Sequence, residues 1–545
     1  MMKNQSNKIV LIFLIVLALP LHSEIRYVSK TGSAQPPYTS WATASDSIQK
    51  CINISSFGDT IYVGNGVYKE QIAMIPGLSL IGSGMDSCVI DTRELVQPSS
   101  FYAVTISDTT LLRGFKIIVS EIYSVNDYWG FGIKDPRKIK NVRIEFNYID
   151  QVGTGIKISR DSDSIIIRKN IITNSITGLN LSSVFGPSRY FVEDNYIEAI
   201  DIGIYVSFGG DPITEIRNNI ILINKDGEAI FRWNTAPITI ENNIVIKSET
   251  TNDWRFGINI SRASGVIKNN VIVGKFGQGI VGLDYNKIIN NVVMNSRYGI
   301  EKGENNNPLI KYNNMWDNLI NNYQGFTPDS TNLSVNPMFT DEDSLNFYLQ
   351  MYSPLIDAGD PEILDRDGSR SDIGLFGGPY GEKYTYMDLA PKPPRNITGA
   401  YEEKQIVLKW NKNTEVDFKN YRIYRDTVTG FIYDSTKLVG ETTDSLFREN
   451  LPYRNSETKY YYLVTAIDST GNQSAPGEEV TITITGNAEF PPLVLEEYKL
   501  LNNYPNPFNP RTIIPYRLKE GGYVKLYIYD IKGEIVEVLV NGWQD

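Results

Sequence analysis

Histidine is almost missing from this 545-residue chain, and the one copy, His22, sits in an N-terminal stretch of unusual composition. There Lys3 and Lys8 precede the apolar run Ile9 to Leu19, then Pro20 and the small Ser23, the layout of a secretory signal peptide with cleavage expected near Ser23. The exported chain would then hold no imidazole. That excludes Ser-His-Asp and Cys-His catalysis and histidine-ligated zinc, leaving carboxylates, Lys, Arg and Tyr for acid–base work and oxygen for any metal. Cysteine is nearly as scarce: Cys51 and Cys88 could pair in an exported chain or lie as separately buried thiols. Beyond the leader, no stretch approaches the roughly 18–20 apolar residues that span a bilayer, so membrane insertion is not expected. Positive charge is also short, with 52 Lys and Arg against 63 Asp and Glu, a net charge of −11. Without a basic stripe to neutralise phosphates, nucleic acid is not an expected partner.

What the chain does have is a repeat. An Asn followed by apolar residues recurs at 147, 170, 195, 219, 243, 270, 291 and 314, usually behind another polar residue, as in Asn218-Asn219-Ile220-Ile221. A small residue before an aliphatic one lies 12–17 residues upstream of these positions, at Gly132, Gly155, Gly178, Gly203, Ala229, Gly257, Gly279 and Gly299. Between the two corners run short alternating segments such as Ser164-Ile165-Ile166-Ile167-Arg168, with no helical period. A unit of about 24 residues made only of strands cannot bury its apolar side alone, and stacking the units does so. The expected fold is all-β: a parallel β-helix with the Asn column at one corner, where Asn tolerates a left-handed bend and stacked amides bond to one another. No Leu-x-x-Leu-x-Leu framework supports the rival leucine-rich solenoid. Ser47 to Ile52 has apolar groups at helical spacing and is expected to cap the open N-terminal end.

The segments Gly58-Asp59-Thr60-Ile61-Tyr62-Val63, Gly66-Val67-Tyr68 and Leu78-Ser79-Leu80-Ile81-Gly82 resemble the opening coils of the pectin-lyase-like superfamily of right-handed parallel β-helices. That resemblance covers roughly residues 25–385 and includes the tail Asn336-Pro337-Met338-Phe339, Ser353 to Asp360 and Asp372-Ile373-Gly374, expected to finish the helix. It implies lyases, hydrolases, esterases, epimerases or inert adhesins alike. Trp410, Tyr421, Tyr424 and the run Tyr460 to Ala466 resemble a fibronectin type III domain, with Tyr460 at its tyrosine corner. Asn503-Tyr504-Pro505-Asn506-Pro507-Phe508-Asn509-Pro510 resembles the C-terminal sorting domain of the type IX secretion pathway, whose machinery would be a partner. Members usually continue for several more strands than reach Asp545, so an incomplete domain is expected. The expected organisation is a signal peptide at 1–23, the β-helix at 24–385, a linker at 386–394, the fibronectin-like β-sandwich at 395–486, a linker at 487–498 and a partial sorting β-sandwich at 499–545.

The resemblance directs attention to the sheet that begins at the glycine corner. Aliphatic residues one and three after each glycine point inward, so the second points out, giving the column Lys134, Lys157, Asn180, Tyr205, Phe231, Asn259, Val281 and Glu301. Arg160, Arg232, Trp233 and Arg262 fall nearby, and loops add Asn126-Asp127-Tyr128-Trp129 and Asn252-Asp253-Trp254-Arg255. Rings that pack on sugar faces beside cations that hold carboxylate or sulfate suit an acidic polysaccharide. Trp129, Tyr205, Trp233, Trp254 and Arg262 are the candidate binding residues, expected on one accessible side; the rings could equally serve only to cover apolar sheet. For β-elimination, Lys157, with Arg160 and Lys134, would supply base and cation. Paired carboxylates of a hydrolase would come from Asp127, Asp161, Asp163 and Asp253. Asp365, Asp367 and Asp372 around a glycine turn offer oxygen for Ca²⁺, or simply a turn. The polygalacturonase and pectin methylesterase signatures are missing. The expectation is a secreted or cell-surface monomer acting on acidic polysaccharide as a lyase, or a non-catalytic adhesin that binds through the same face.

Overall fold

The computed structural model describes residues 23–544 apart from 96–100, 120–129, 136–137, 160–161, 184–187, 209–212, 225–226, 234–236, 249–254, 262–264, 283–285, 304–306, 452–456, 485–496, 505 and 508–509. The leader therefore lies outside the described residues. Two compact units divide the chain. The first comprises residues 1–392 with 413–419 and 466–474, the second 393–412, 420–465 and 475–545.

One coil shows how the repeat becomes the first unit. The strand Lys140–Glu145 lies on a first face; Phe146, at φ 53°, and then Asn147 turn the corner. The strand Tyr148–Ser159 then supplies the second and third faces, bending at Gln151, φ 57°. The chain returns as Asp163–Arg168, parallel to Lys140–Glu145 and one coil along. Repetition gives a 12-stranded parallel sheet on the first face, while long strands such as Ile171–Ser183 and Tyr196–Phe208 join the other two faces into one 19-stranded sheet. The product is a parallel β-helix. Strand alternation drives it: Ile144, Ile167, Val192, Ile216, Ile240, Ile267 and Ile288 are paired in register coil after coil and wholly buried. Each such side chain contributes about 1.5–3 kcal/mol by leaving water.

The asparagine corner is a continuous hydrogen-bonded ladder. The Oδ1 of Asn219 accepts from the backbone N–H and Nδ2 of Asn195, at 3.0 and 2.9 Å. The Nδ2 of Asn219 in turn donates to Asn243 Oδ1 and to the Val192 carbonyl. The same pattern runs through Asn147, Asn170, Asn195, Asn243, Asn270 and Asn291. Two details differ from the sequence reading. The next member is Asn313, not Asn314: Asn291 donates to Asn313 Oδ1, and Asn332 follows. Adjacent asparagines make that one-residue shift invisible in the spacing. The left-handed residue is also not the ladder Asn but the one before it, at Phe146, Lys169, Asp194, Asn218, Asn242, Asn269, Asn290 and Tyr312.

The N-terminal end is closed by the helix Ile48–Asn53, which buries Ile48, Cys51 and Ile52. Its N-cap Ser47 donates to Glu70, whose carboxylate also accepts from the N–H groups of Ile48 and Gln49. Cys51 and Cys88 are free thiols, each buried, and burial pushes them up to about 12 and about 11. The tail does not add further coils. It folds back along the second face, where Phe339, Phe347, Leu349, Leu355 and Ile373 cover Ile244, Val271 and Val292. The residues preceding the ladder hold it there. Asn242 Nδ2 donates to the Leu375 and Gly377 carbonyls, Asn269 Nδ2 to that of Asp372, and Asn290 Oδ1 accepts from Asp360 N–H.

In the second unit a three-stranded antiparallel sheet of Thr398–Glu402, Gln405–Lys409 and Leu446–Asn450 accompanies a four-stranded one. Trp410 is buried edge-on against Tyr421 at 5.1 Å, and Tyr462 donates to Glu449. Tyr460 is buried as well; the loop before it lies outside the described residues. Farther on, Gly522–Tyr529 and Ile535–Gln544 form an antiparallel pair.

Asn219→Leu tests the ladder. It orphans the two donors of Asn195 and the carbonyl of Val192 inside the solenoid, at a cost of about 1–3 kcal/mol. The urea midpoint should fall accordingly, whereas an unchanged midpoint would mean that water or repacking replaces the amide.

Candidate functional site

The third face opens at the glycine column. A Cβ on Gly155 would stand 2.6 Å from the Gly178 carbonyl oxygen, and one on Gly178 2.6 Å from that of Gly203. Glycine therefore lets neighbouring coils close up at this corner. Beyond it the outward residues fall into register as Thr105, Lys134, Lys157, Asn180, Tyr205, Phe231, Asn259, Val281 and Glu301. Successive members are one strand spacing apart, about 4.8 Å. Tyr205 and Phe231 stack at 5.9 Å, and Lys134 Nζ lies 5.6 Å from the centroid of the Tyr102 ring.

The two lysines border a recess of about 420 Å³ lined by Tyr102, Thr105, Lys134, Asp135, Lys157 and Ser159, with Ser182 at its side. Its acidic member, Asp135, is wholly buried. Oδ1 accepts from Ser159 N–H at 2.7 Å and Ser159 Oγ at 2.9 Å, while Oδ2 is buried without a hydrogen-bond partner. Burial pushes its carboxyl up to about 6. Lys157, half-buried, is held below the ordinary lysine value first by burial and then by the Lys134 charge, with Asp135 opposing. The site thus pairs an amine that gives up its proton more readily than usual with a second cation and an acid that titrates near neutrality.

Asp135 was not among the sequence candidates, though a signal was present. It is third after Gly132, an inward position held by Ile158, Leu181, Val206 and Ile260 in other coils. Arg232 occupies that same position. It is buried inside the solenoid in register with Val206 and Ile260, rather than lining the outer groove, and burial lowers it to about 10. Period-two alternation explains the correction, because Arg232 directly follows the outward Phe231. Trp233 ends the strand Glu228–Trp233, in register with Ser207 and Ser261. Its side chain, and Trp129, Trp254, Arg160 and Arg262, lie outside the described residues. The structure therefore brings together Lys134 and Lys157, with Tyr205 two coils beyond Lys157 in the same column.

The carboxylate alternatives are placed elsewhere. Asp163 pairs with Arg189 on the first face at 3.1 Å, and Asp127, Asp161 and Asp253 lie outside the described residues. Asp365, Asp367 and Asp372 line one small recess near Tyr384 and Tyr386. Their oxygens are engaged: Asp365 accepts from the N–H groups of Asp372 and Gly378, Asp372 from Asp357 N–H and the Tyr386 hydroxyl, and Asp367 from Ser369. They do not gather into a ligating group; among the described residues the one trio of acids close enough to share an ion is Asp388, Asp417 and Asp468. Nor does the lysine recess fit Ca²⁺, which takes six to eight oxygens, since Asp135 is the single carboxylate of its described lining.

A family-model match agrees with the β-helix. Residues 96–245 match the family model described as a right handed beta helix region. No curated protein matches. Among solved structures, pectate lyase Pel9A is similar at 15% identity over 65% of this chain and 96% of its own, with a TM-score of 0.46. A GH136 lacto-N-biosidase from Eubacterium ramulus is similar at 11% identity over 57% of this chain and 67% of its own, TM-score 0.38. An Fn3-like protein from Clostridium thermocellum is similar at 22% identity over 17% of this chain and 92% of its own, TM-score 0.15.

Proposed function

We propose that this is a secreted or cell-surface protein, exported through the type IX machinery, that binds acidic polysaccharide along the third face of its β-helix and cleaves it by β-elimination at the lysine recess. The observation that carries the reading is the convergence of Lys134, Lys157 and buried Asp135 in one recess, beside Tyr102 and in line with the stacked Tyr205 and Phe231. A stripe of rings that continues a cationic recess suits an extended chain of pyranoses bearing carboxylates.

The chemistry follows from the charges. The ammonium of Lys134 pairs with the uronate carboxylate and stabilises negative charge as it develops at C5. Lys157, as the neutral amine, takes the C5 proton; the C5–H electrons form the C4=C5 double bond, the C4–O bond breaks, and the departing oxygen is protonated by solvent. Asp135 positions the sheet end by holding Ser159 and offsets part of the charge of the two lysines.

Turnover should appear as unsaturated ends absorbing in the ultraviolet when the protein meets a panel of polyuronates, with a rate that rises with pH as Lys157 loses its proton. Lys157→Arg keeps the cation and cannot act as base, so it should bind the chain yet lower kcat by about 10²–10⁴. Lys157→Ala should abolish turnover while leaving the fold intact. Binding without turnover across the panel would establish the adhesin reading instead, and turnover unaltered in Lys157→Arg would remove Lys157 as the base.

Asp135 generates a separate prediction. Its folded value, about 6, lies above the ~3.9 of an unfolded aspartate, so the folded state holds this proton more tightly. Its contribution is therefore most favourable below about pH 4 and is lost as pH rises through about 6. Asp135→Asn should leave stability nearly unchanged at pH 4 and raise it relative to the parent at pH 7, by on the order of 1–3 kcal/mol. Denaturant melts of both proteins at the two pH values measure the difference, and an equal difference at both would show that Asp135 does not titrate in that window.

A further inference from the structure

Away from the third face, three acids with no role in the proposed chemistry converge within the first unit. Asp388 directly follows Met387, which bridges to Gln350 where the tail ends. Asp417 lies in the segment 413–419, which Glu415 ties to the tail by accepting from Lys392 N–H at 2.8 Å. Asp468 opens the tight loop of 466–474, which is joined to the other segment by Ser469 N–H donating to the Asp417 carbonyl at 2.8 Å. One carboxylate oxygen from each acid lies within 4.8 Å of the others. With Ca–O bonds of about 2.4 Å, oxygens on opposite sides of one ion stand about that far apart.

A second observation points into the cluster. Asp468 is wholly buried, and its two oxygens have different surroundings. Oδ1 is saturated by Thr470 N–H and Oγ1, Gly471 N–H and Asn472 N–H, at 2.7–3.0 Å. Oδ2 is buried with no hydrogen-bond partner. A buried carboxylate oxygen left bare beside two further acids is unfavourable unless a cation completes it. Among the described residues, none of the three acids takes part in an ion pair with Lys or Arg.

We propose that Asp388, Asp417 and Asp468 hold one Ca²⁺ ion, which fastens the loops 413–419 and 466–474 to the end of the tail within the first unit. The all-oxygen, carboxylate-rich donor set selects a hard cation, and three converging acids leave positions for waters or carbonyls that suit Ca²⁺ better than the strict octahedron of Mg²⁺. The role is structural and independent of the lysine recess.

The test uses the full chain stripped with EDTA and titrated with CaCl₂ by calorimetry, alongside thermal melts with and without the ion. Asp468→Asn preserves Oδ1 and its four donors, and Asp388→Asn alters an exposed residue, so both should fold. The expected result is Ca²⁺ binding that weakens at least tenfold in each variant and is unchanged in Asp365→Asn, with Ca²⁺ raising the melting temperature of the parent and of neither site variant. Failure of the parent to bind Ca²⁺, parent-like affinity in either site variant, or loss of binding in Asp365→Asn would overturn the assignment.

Discussion

A buried carboxamide must find partners for its oxygen and its two N–H donors, and the corner asparagines find most of them in the coils on either side. Asn219 illustrates it: the acceptor is used by the coil before, one donor reaches the coil after, and another ties back to the Val192 carbonyl. Coil spacing and register are thereby fixed at one edge of every turn. Since a one-residue slip in a strand reverses which side chains face out, register at the asparagine corner governs what the third face presents. The alignment of Lys134 on Lys157 and of Tyr205 on Phe231 depends on it.

That face differs from its neighbours in a way that bears on function. The first face is laced with ion pairs, such as Glu145 with Arg143 and Arg168, and Arg217 with Glu193 and Glu215, so its charges are compensated within the protein. The second is covered over several coils by the tail. On the third, two lysines stand in adjacent coils over a single buried acid.

Sequence periodicity carries the solenoid, the N-terminal helix and the outward column, because each is set by local alternation or by the strict repeat. It fails where two readings share the same local pattern. Asn313 and Asn314 are indistinguishable by spacing, and the backbone chooses the first. The polar residue before each ladder Asn reads as mere corner chemistry, yet Asn242, Asn269 and Asn290 clamp a tail about 70–135 residues away. Asp135 and Arg232 stand out as polar residues at inward positions, a break in pattern that should have marked them as buried charges. The trio of Asp388, Asp417 and Asp468 leaves no trace in the sequence, since its members are joined only by the path of the folded chain.

Under the proposed function, ligand contacts should fall on the third face at the coils carrying Lys134 and Lys157. Hydrogen exchange measured with and without an oligouronate tests it most directly. Slower exchange is expected in peptides covering 130–135 and 154–159, with 140–145 and 163–168 on the first face unchanged. Protection confined to the first face, or none at a concentration where binding is saturated, would contradict it.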